Sequence, residues 1–172
     1  MRATFAVAML MLVATACAHA ADPPRLAVFD FELIDSSLEG QMNGPRADEQ
    51  QRLLRAGDQL RKELGESGRF RILDIAPVNA AAHQSNLQAC GGCDVKLAKQ
   101  IGADLAVTGV VQKVSNLILN VNVYLRDTGT GRLVGGATVD MRGNTDESWS
   151  RAVHYLVQER LLAIHVGTPP AQ

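Results

Sequence analysis

The sequence predicts an α+β domain on a mixed five-stranded sheet, with element order β-α-β-α-β-β-β-α and the helices on one face of the sheet. Two observations support this prediction. First, an apolar series alternates with polar residues at the two-residue period of a half-buried strand: Leu117, Leu119, Val121, Val123 and Leu125. Second, the turn-forming segment DTGTG at residues 127–131 follows that strand and precedes another, which predicts a hairpin.

The first half of the chain predicts a β-α-β unit. Residues 25–32 alternate as a strand, and residues 34–45 carry the glycine and proline of a loop. A helix is expected from Pro45, with an apolar stripe at Leu53, Gly57, Leu60 and Leu64. Residues 70–73 form a short strand that we expect to pair parallel to the first, because a helix connects the two.

The second half predicts a further helix, three strands and a closing helix. Residues 75–92 are the least regular, with a short alanine-rich turn at 79–83. Asp94 is the predicted N-cap of a helix that runs to Gln100. Asn144 and Glu147 have the spacing of a capping box, and Trp149 opens the apolar stripe of the closing helix.

The composition fits one ordinary globular domain. The chain has 172 residues, 47% hydrophobic and 20% charged, with a formal net charge of -1. This balance gives no basic surface for a phosphate backbone, so nucleic acid is not an expected partner.

The amino terminus predicts export. Residues 1–20 form a signal peptide, with Arg2, an apolar run and Ala18-His19-Ala20 before the expected cleavage site, so the protein is predicted to be periplasmic. One domain is then expected over 21–172, with an ordered core at about 25–166, and no later segment is long and apolar enough to cross a membrane. The alternative is a lipoprotein anchored at Cys17, because Ala14-Thr15-Ala16-Cys17 approximates a lipobox.

The motif CGGC at residues 90–93 carries three alternative interpretations. Cys90 and Cys93 can form a structural disulfide, which an exported protein permits. They can instead form a thiol-disulfide redox site, because Cys93 lies at the expected start of a helix. With His83 they can also bind copper or zinc, although this set supplies only three ligands. The disulfide is the prediction we favour, and no cofactor is expected.

The turn before the closing helix has two interpretations: helix capping with core packing, which we favour, and a partner-binding site. It concentrates polar residues around the only tryptophan of the chain, and Trp and Arg are frequent interface anchors. The residues are Arg142, Asn144, Asp146, Glu147 and Trp149. No nucleophile elbow, P-loop, zincin helix or dinucleotide fingerprint is present, so no catalytic residue is predicted.

Several segments resemble known families. AVFDFELIDSS, IGADLAVTGVV and NVNVYLRDTGTGRLV are similar to the domain shared by the TolB amino-terminal region and CsgG-like proteins. CGGCD, KVSNLILNVNVYLRD and RGNTDESW resemble a small exported proteobacterial family that carries only a domain-of-unknown-function label. The resemblance implies a non-catalytic periplasmic accessory module that docks a protein partner, and it suggests an association with quinoprotein alcohol oxidation.

Overall fold

A computed structural model describes residues 22–164 of the chain. Its strands are β1 (Arg25–Val28), β2 (Glu32–Asp35), β3 (Arg71–Ile72), β4 (Leu105–Lys113), β5 (Ile118–Asp127) and β6 (Leu133–Arg142). Its α-helices are α1 (Leu38–Asn43), α2 (Ala47–Glu66), α3 (Ala76–His83), α4 (Cys93–Gln100) and α5 (Asp146–Tyr155), and a π-helical segment, Leu156–Leu161, continues α5. The predicted signal peptide, its cleavage site and Cys17 lie outside the described residues.

The six described strands form one mixed sheet in the order β3-β1-β4-β5-β6, with β2 also paired to β4. β1 pairs parallel to β3 and β4, whereas β5 pairs antiparallel to β4 and β6. The predicted α+β class, mixed sheet and parallel first pair are thus confirmed. The additional strand arises because the predicted first strand is interrupted after Val28 and resumes as β2, which pairs with the distal half of β4.

The helices cover both faces of the sheet, which corrects the prediction of helices on one face. The longer helices α2 and α5 share a core cluster with Leu26 and Val28 of β1. On the opposite face, α3 and α4 pack against Ala27 and Phe29. The reason is that residues 26–28 of β1 and the first half of β4 are buried at every position, so both faces of these strands are covered.

Three local predictions differ in detail from the structure. Gly92, not Asp94, is the N-cap of α4, and the buried Asp94 carboxylate pairs instead with Arg126. Thr145, not Asn144, caps α5 by accepting a hydrogen bond from the Ser148 N–H. The loop predicted at residues 34–45 contains the end of β2 and the short helix α1, while residues 79–83 belong to a longer helix, α3. Within residues 22–164, no helix is both long and apolar enough to cross a bilayer.

Candidate functional site

A buried lysine lies at the end of the sheet where β2 and β4 finish and β5 begins. The Lys113 side chain has 0% exposure, and its Nζ lies 2.7 Å from Glu49 Oε1, 3.1 Å from Asp35 Oδ2 and 3.3 Å from Glu39 Oε2. Glu49 projects from α2, Asp35 ends β2, and Glu39 belongs to α1. One ammonium group therefore joins β4 to three elements that are distant from it in sequence.

The ionisation of this cluster is stabilised by hydrogen bonds. Burial opposes the charged form of Lys113, but its hydrogen bonds to Glu49, Asp35 and Glu39 outweigh burial and raise the pKa of the lysine. Burial also acts against the Asp35 carboxylate, yet hydrogen bonds from Ser37 and Lys113 keep the pKa of Asp35 below its ordinary value. A hydrogen bond from Asn116, followed by one from Lys113, lowers the pKa of Glu39. Lys113, Asp35 and Glu39 are therefore ionised at neutral pH.

The helix α1 is attached to the domain by polar contacts. It has no buried residue, and its N-cap Ser37 accepts a hydrogen bond from the Gly40 N–H. Glu39 links it to Lys113 and, through the Asn116 side chain, to the turn between β4 and β5. Its two large apolar side chains face solvent, because Leu38 is 71% and Met42 is 73% exposed. This arrangement inverts the usual amphipathic helix, which buries its apolar side.

More exposed apolar side chains lie at the same end of the sheet. Leu117, in the turn that Asn116 ties to α1, is 72% exposed. This corrects the prediction that Leu117 belongs to the inward face of β5, since the strand begins only at Ile118. We call the full set the α1–hairpin surface: Ile34, Leu38, Met42, Val114, Leu117 and Ile118.

The predicted partner-binding residues divide into buried and exposed groups. Trp149 is buried and donates from Nε1 to Asn144 Oδ1, while the Asn144 amide donates to Glu49 Oε1. These two residues thus extend the Lys113 cluster into the core. Asp146 pairs with Arg52 and Arg55 at the start of α5. The exposed members are Arg142, Asp146 and Glu147, and their role in binding stays a prediction.

The predicted cysteine pair is joined in a disulfide that spans Gly91 and Gly92. His83 does not join this pair, because its Nε2 lies 3.1 Å from Asp30 Oδ2, and Asp30 also forms a salt bridge with Arg61. In the part of the chain that the structure describes, no group of three His, Cys, Asp or Glu side chains is arranged to hold a metal ion.

The sequence did contain a signal for the buried lysine. Lys113 continues the inward phase of β4 after Leu105, Val107 and Val111, so the alternation places a charge on the core face. A charge in that position requires a partner. The partners could not be named from sequence, because they come from β2, α1 and α2.

Comparison with known proteins yields a family and several remote structural likenesses. A family model described as a protein of unknown function (DUF2380) matches residues 24–161. The search of curated proteins gives no match. The LpoB C-terminal domain from Salmonella enterica is 15% identical, with 70% of this chain and 84% of that chain covered and a TM-score of 0.49.

Two further solved structures have comparable scores. Lipoprotein GNA1162 from Neisseria meningitidis is 17% identical, with 80% of this chain and 93% of that chain covered and a TM-score of 0.48. TolB from Acinetobacter baumannii is 15% identical, with 78% of this chain but 28% of that chain covered and a TM-score of 0.44.

Proposed function

Because the chain belongs to the DUF2380 family, whose description assigns no activity, we propose from its geometry that it is a non-catalytic module that docks a protein partner in the cell envelope. The observation that carries the proposal is the α1–hairpin surface, where an apolar helix face points to solvent and polar contacts hold the helix in place. The envelope location rests on the predicted signal peptide.

Isolated exposed apolar residues are normal and need no explanation. Here three side chains on α1 and the adjoining turn, those of Leu38, Met42 and Leu117, are each more than 70% exposed. Exposed apolar side chains that cluster, unlike single ones, are often functional, and three more members of the surface lie at the same end of the sheet. Burying each such side chain against a partner contributes about 1.5–3 kcal/mol before the costs of association.

The Lys113 cluster explains how this surface keeps its shape. A short helix with no buried residue has little intrinsic stability, so α1 needs an external anchor. That anchor comes from the N-cap at Ser37 and from the contacts of Glu39 with Lys113 and Asn116. A preorganised surface loses less conformational entropy when it binds, which favours affinity.

The proposal is tested by crosslinking in the native cell envelope. A photo-reactive amino acid at position 117 should give one defined protein adduct, identified by mass spectrometry. The double substitution Leu38→Glu/Met42→Glu should remove this adduct without changing the thermal midpoint, because α1 buries no residue. Leu54→Glu is the matched control, since Leu54 is an exposed leucine on α2 outside the surface. An adduct that survives the double substitution would contradict the proposal.

The finer predictions are separate from this proposal. Arg142, Asp146 and Glu147 are exposed and lie close to Asn144 in the sequence. The Asn144 amide donates to Asn116 Oδ1 in the turn between β4 and β5, so these residues adjoin the α1–hairpin surface. The association with quinoprotein alcohol oxidation stays a prediction from resemblance, as do the redox and metal alternatives, which no observation here favours.

A further inference from the structure

The two edges of the sheet differ in a way that the docking proposal does not explain. β3, at one edge, pairs over only 2 residues. β6, at the other edge, is 10 residues long and pairs on one side only among the strands of residues 22–164. Natural proteins block long edges with proline, lysine or a covering segment, because free N–H and C=O groups recruit other strands. The β6 sequence, LVGGATVDMR, contains neither proline nor lysine.

A groove runs between this edge and α5. It has a volume of about 210 Å³, and its apolar lining comes from Val139 and Met141 of β6 and from Ala152 and Tyr155 of α5. In a strand added to a sheet edge, alternate side chains point to the same face. A strand paired with β6 would therefore place every second side chain over the α5 side, where the groove can accept an apolar group.

The charges at the groove favour an acidic ligand. Arg142 and Arg151 line it, against one acidic residue, Asp140. Arg142 is exposed and makes no salt bridge with the described residues, whereas Asp140 accepts a hydrogen bond from Asn120. Within residues 22–164, Arg151 forms a salt bridge with the exposed Glu147, a weak surface contact that an incoming carboxylate can replace.

We infer that the outer edge of β6 and the adjoining groove bind an extended peptide segment of a partner protein, with apolar residues alternating and an acidic residue near Arg142. The backbone of the segment pairs with β6, and its side chains give selectivity through the groove and the arginine. Arg142 adjoins the α1–hairpin surface, because it pairs with Ile118, but the β6 edge and the groove lie outside that surface, and the inference does not depend on the docking proposal.

The test uses a library of displayed ten-residue peptides as the probe. It is panned on the purified Leu38→Glu/Met42→Glu variant, so that ligands of the α1–hairpin surface are not selected. Enriched peptides should alternate apolar residues and carry an acidic residue, and their binding should slow hydrogen exchange at alternate amides of β6. Methylation of alternate peptide nitrogens should abolish binding, because it removes the donors that pair with the edge.

Charge reversal completes the test. Arg142→Glu should weaken binding of the selected peptides by roughly fivefold to tenfold, since it replaces an attractive contact by a repulsive one. Arg71→Glu is the matched control, because it makes the same change on the opposite edge strand. The inference is overturned if no peptide is enriched, if protection falls outside β6, or if methylated peptides bind equally. It is also overturned if light scattering and exchange show that β6 pairs with a second copy of the chain.

Discussion

Replacing Lys113 by methionine tests the energetic role of the buried cluster. Methionine keeps most of the side-chain volume but removes the charge, so Glu49, which is 1% exposed, is left without its closest cationic partner. Breaking one side of a buried ion pair costs about 3–5 kcal/mol, because the remaining charge stays desolvated. For a domain of this size, that loss lowers the thermal midpoint by about 6–20 °C.

The assay is urea unfolding followed by the fluorescence of Trp149, which is buried next to the cluster through Asn144. Adding Glu49→Gln to Lys113→Met should recover about 1–2 kcal/mol, since it removes the uncompensated charge. Lys62→Met is the control, because Lys62 is exposed and its ion pair with Glu66 is long, at 4.0 Å. Its loss should change the free energy of unfolding by less than about 0.5 kcal/mol. A Lys113→Met variant within about 1 kcal/mol of the wild type, or one that Glu49→Gln destabilises further, would refute this reasoning.

Three further outcomes are expected. Substitution of both Cys90 and Cys93 by serine should cost about 2 kcal/mol in chemical unfolding and leave the fold intact, because the closed loop is short; a larger loss would show an added role in folding. Gly109→Ala should destabilise the domain by about 1–3 kcal/mol in the same assay, since a Cβ would overlap the Phe31 ring, and an unchanged midpoint would contradict that packing. Folding lowers the pKa of Asp35, so the ionised carboxylate stabilises the folded state above its ordinary pKa of 3.8, and this stabilisation is lost as the pH falls through the folded pKa. The difference in unfolding free energy between the wild type and Asp35→Asn should therefore shrink under acid. A difference that does not change with pH would count against the lowered pKa.

The strands and the longer helices were predictable because their signals are local. The alternation of β5 and the turn chemistry at Asp127 depend on neighbouring residues only, and Asp127 Oδ1 indeed accepts the Thr130 N–H. The predictions that differed involve long-range competition. Trp149 was predicted to open the apolar stripe of the closing helix, with contact to a partner as the alternative; the side chain is buried, and its indole N–H donates to Asn144 beside the Lys113 cluster.

The candidate site itself could not be assembled from the sequence. Lys113 and Glu49 are 64 residues apart, and Lys113 and Asp35 are 78 residues apart, so only folding brings the three together. The orientation of α1 follows from these contacts. Its apolar residues would be assigned to a core by hydropathy alone, yet polar anchoring turns Leu38 and Met42 outward.

The sequence by itself determined the α+β class, the hairpin strands and the cysteine pair available for a disulfide, because these depend on side-chain period, turn residues and spacing. The tertiary structure alone decided which end of the sheet exposes apolar side chains and which long strand of residues 22–164 lies at a sheet edge. The physical reason is that both properties depend on what covers each surface, and that cover comes from elements far apart in the chain.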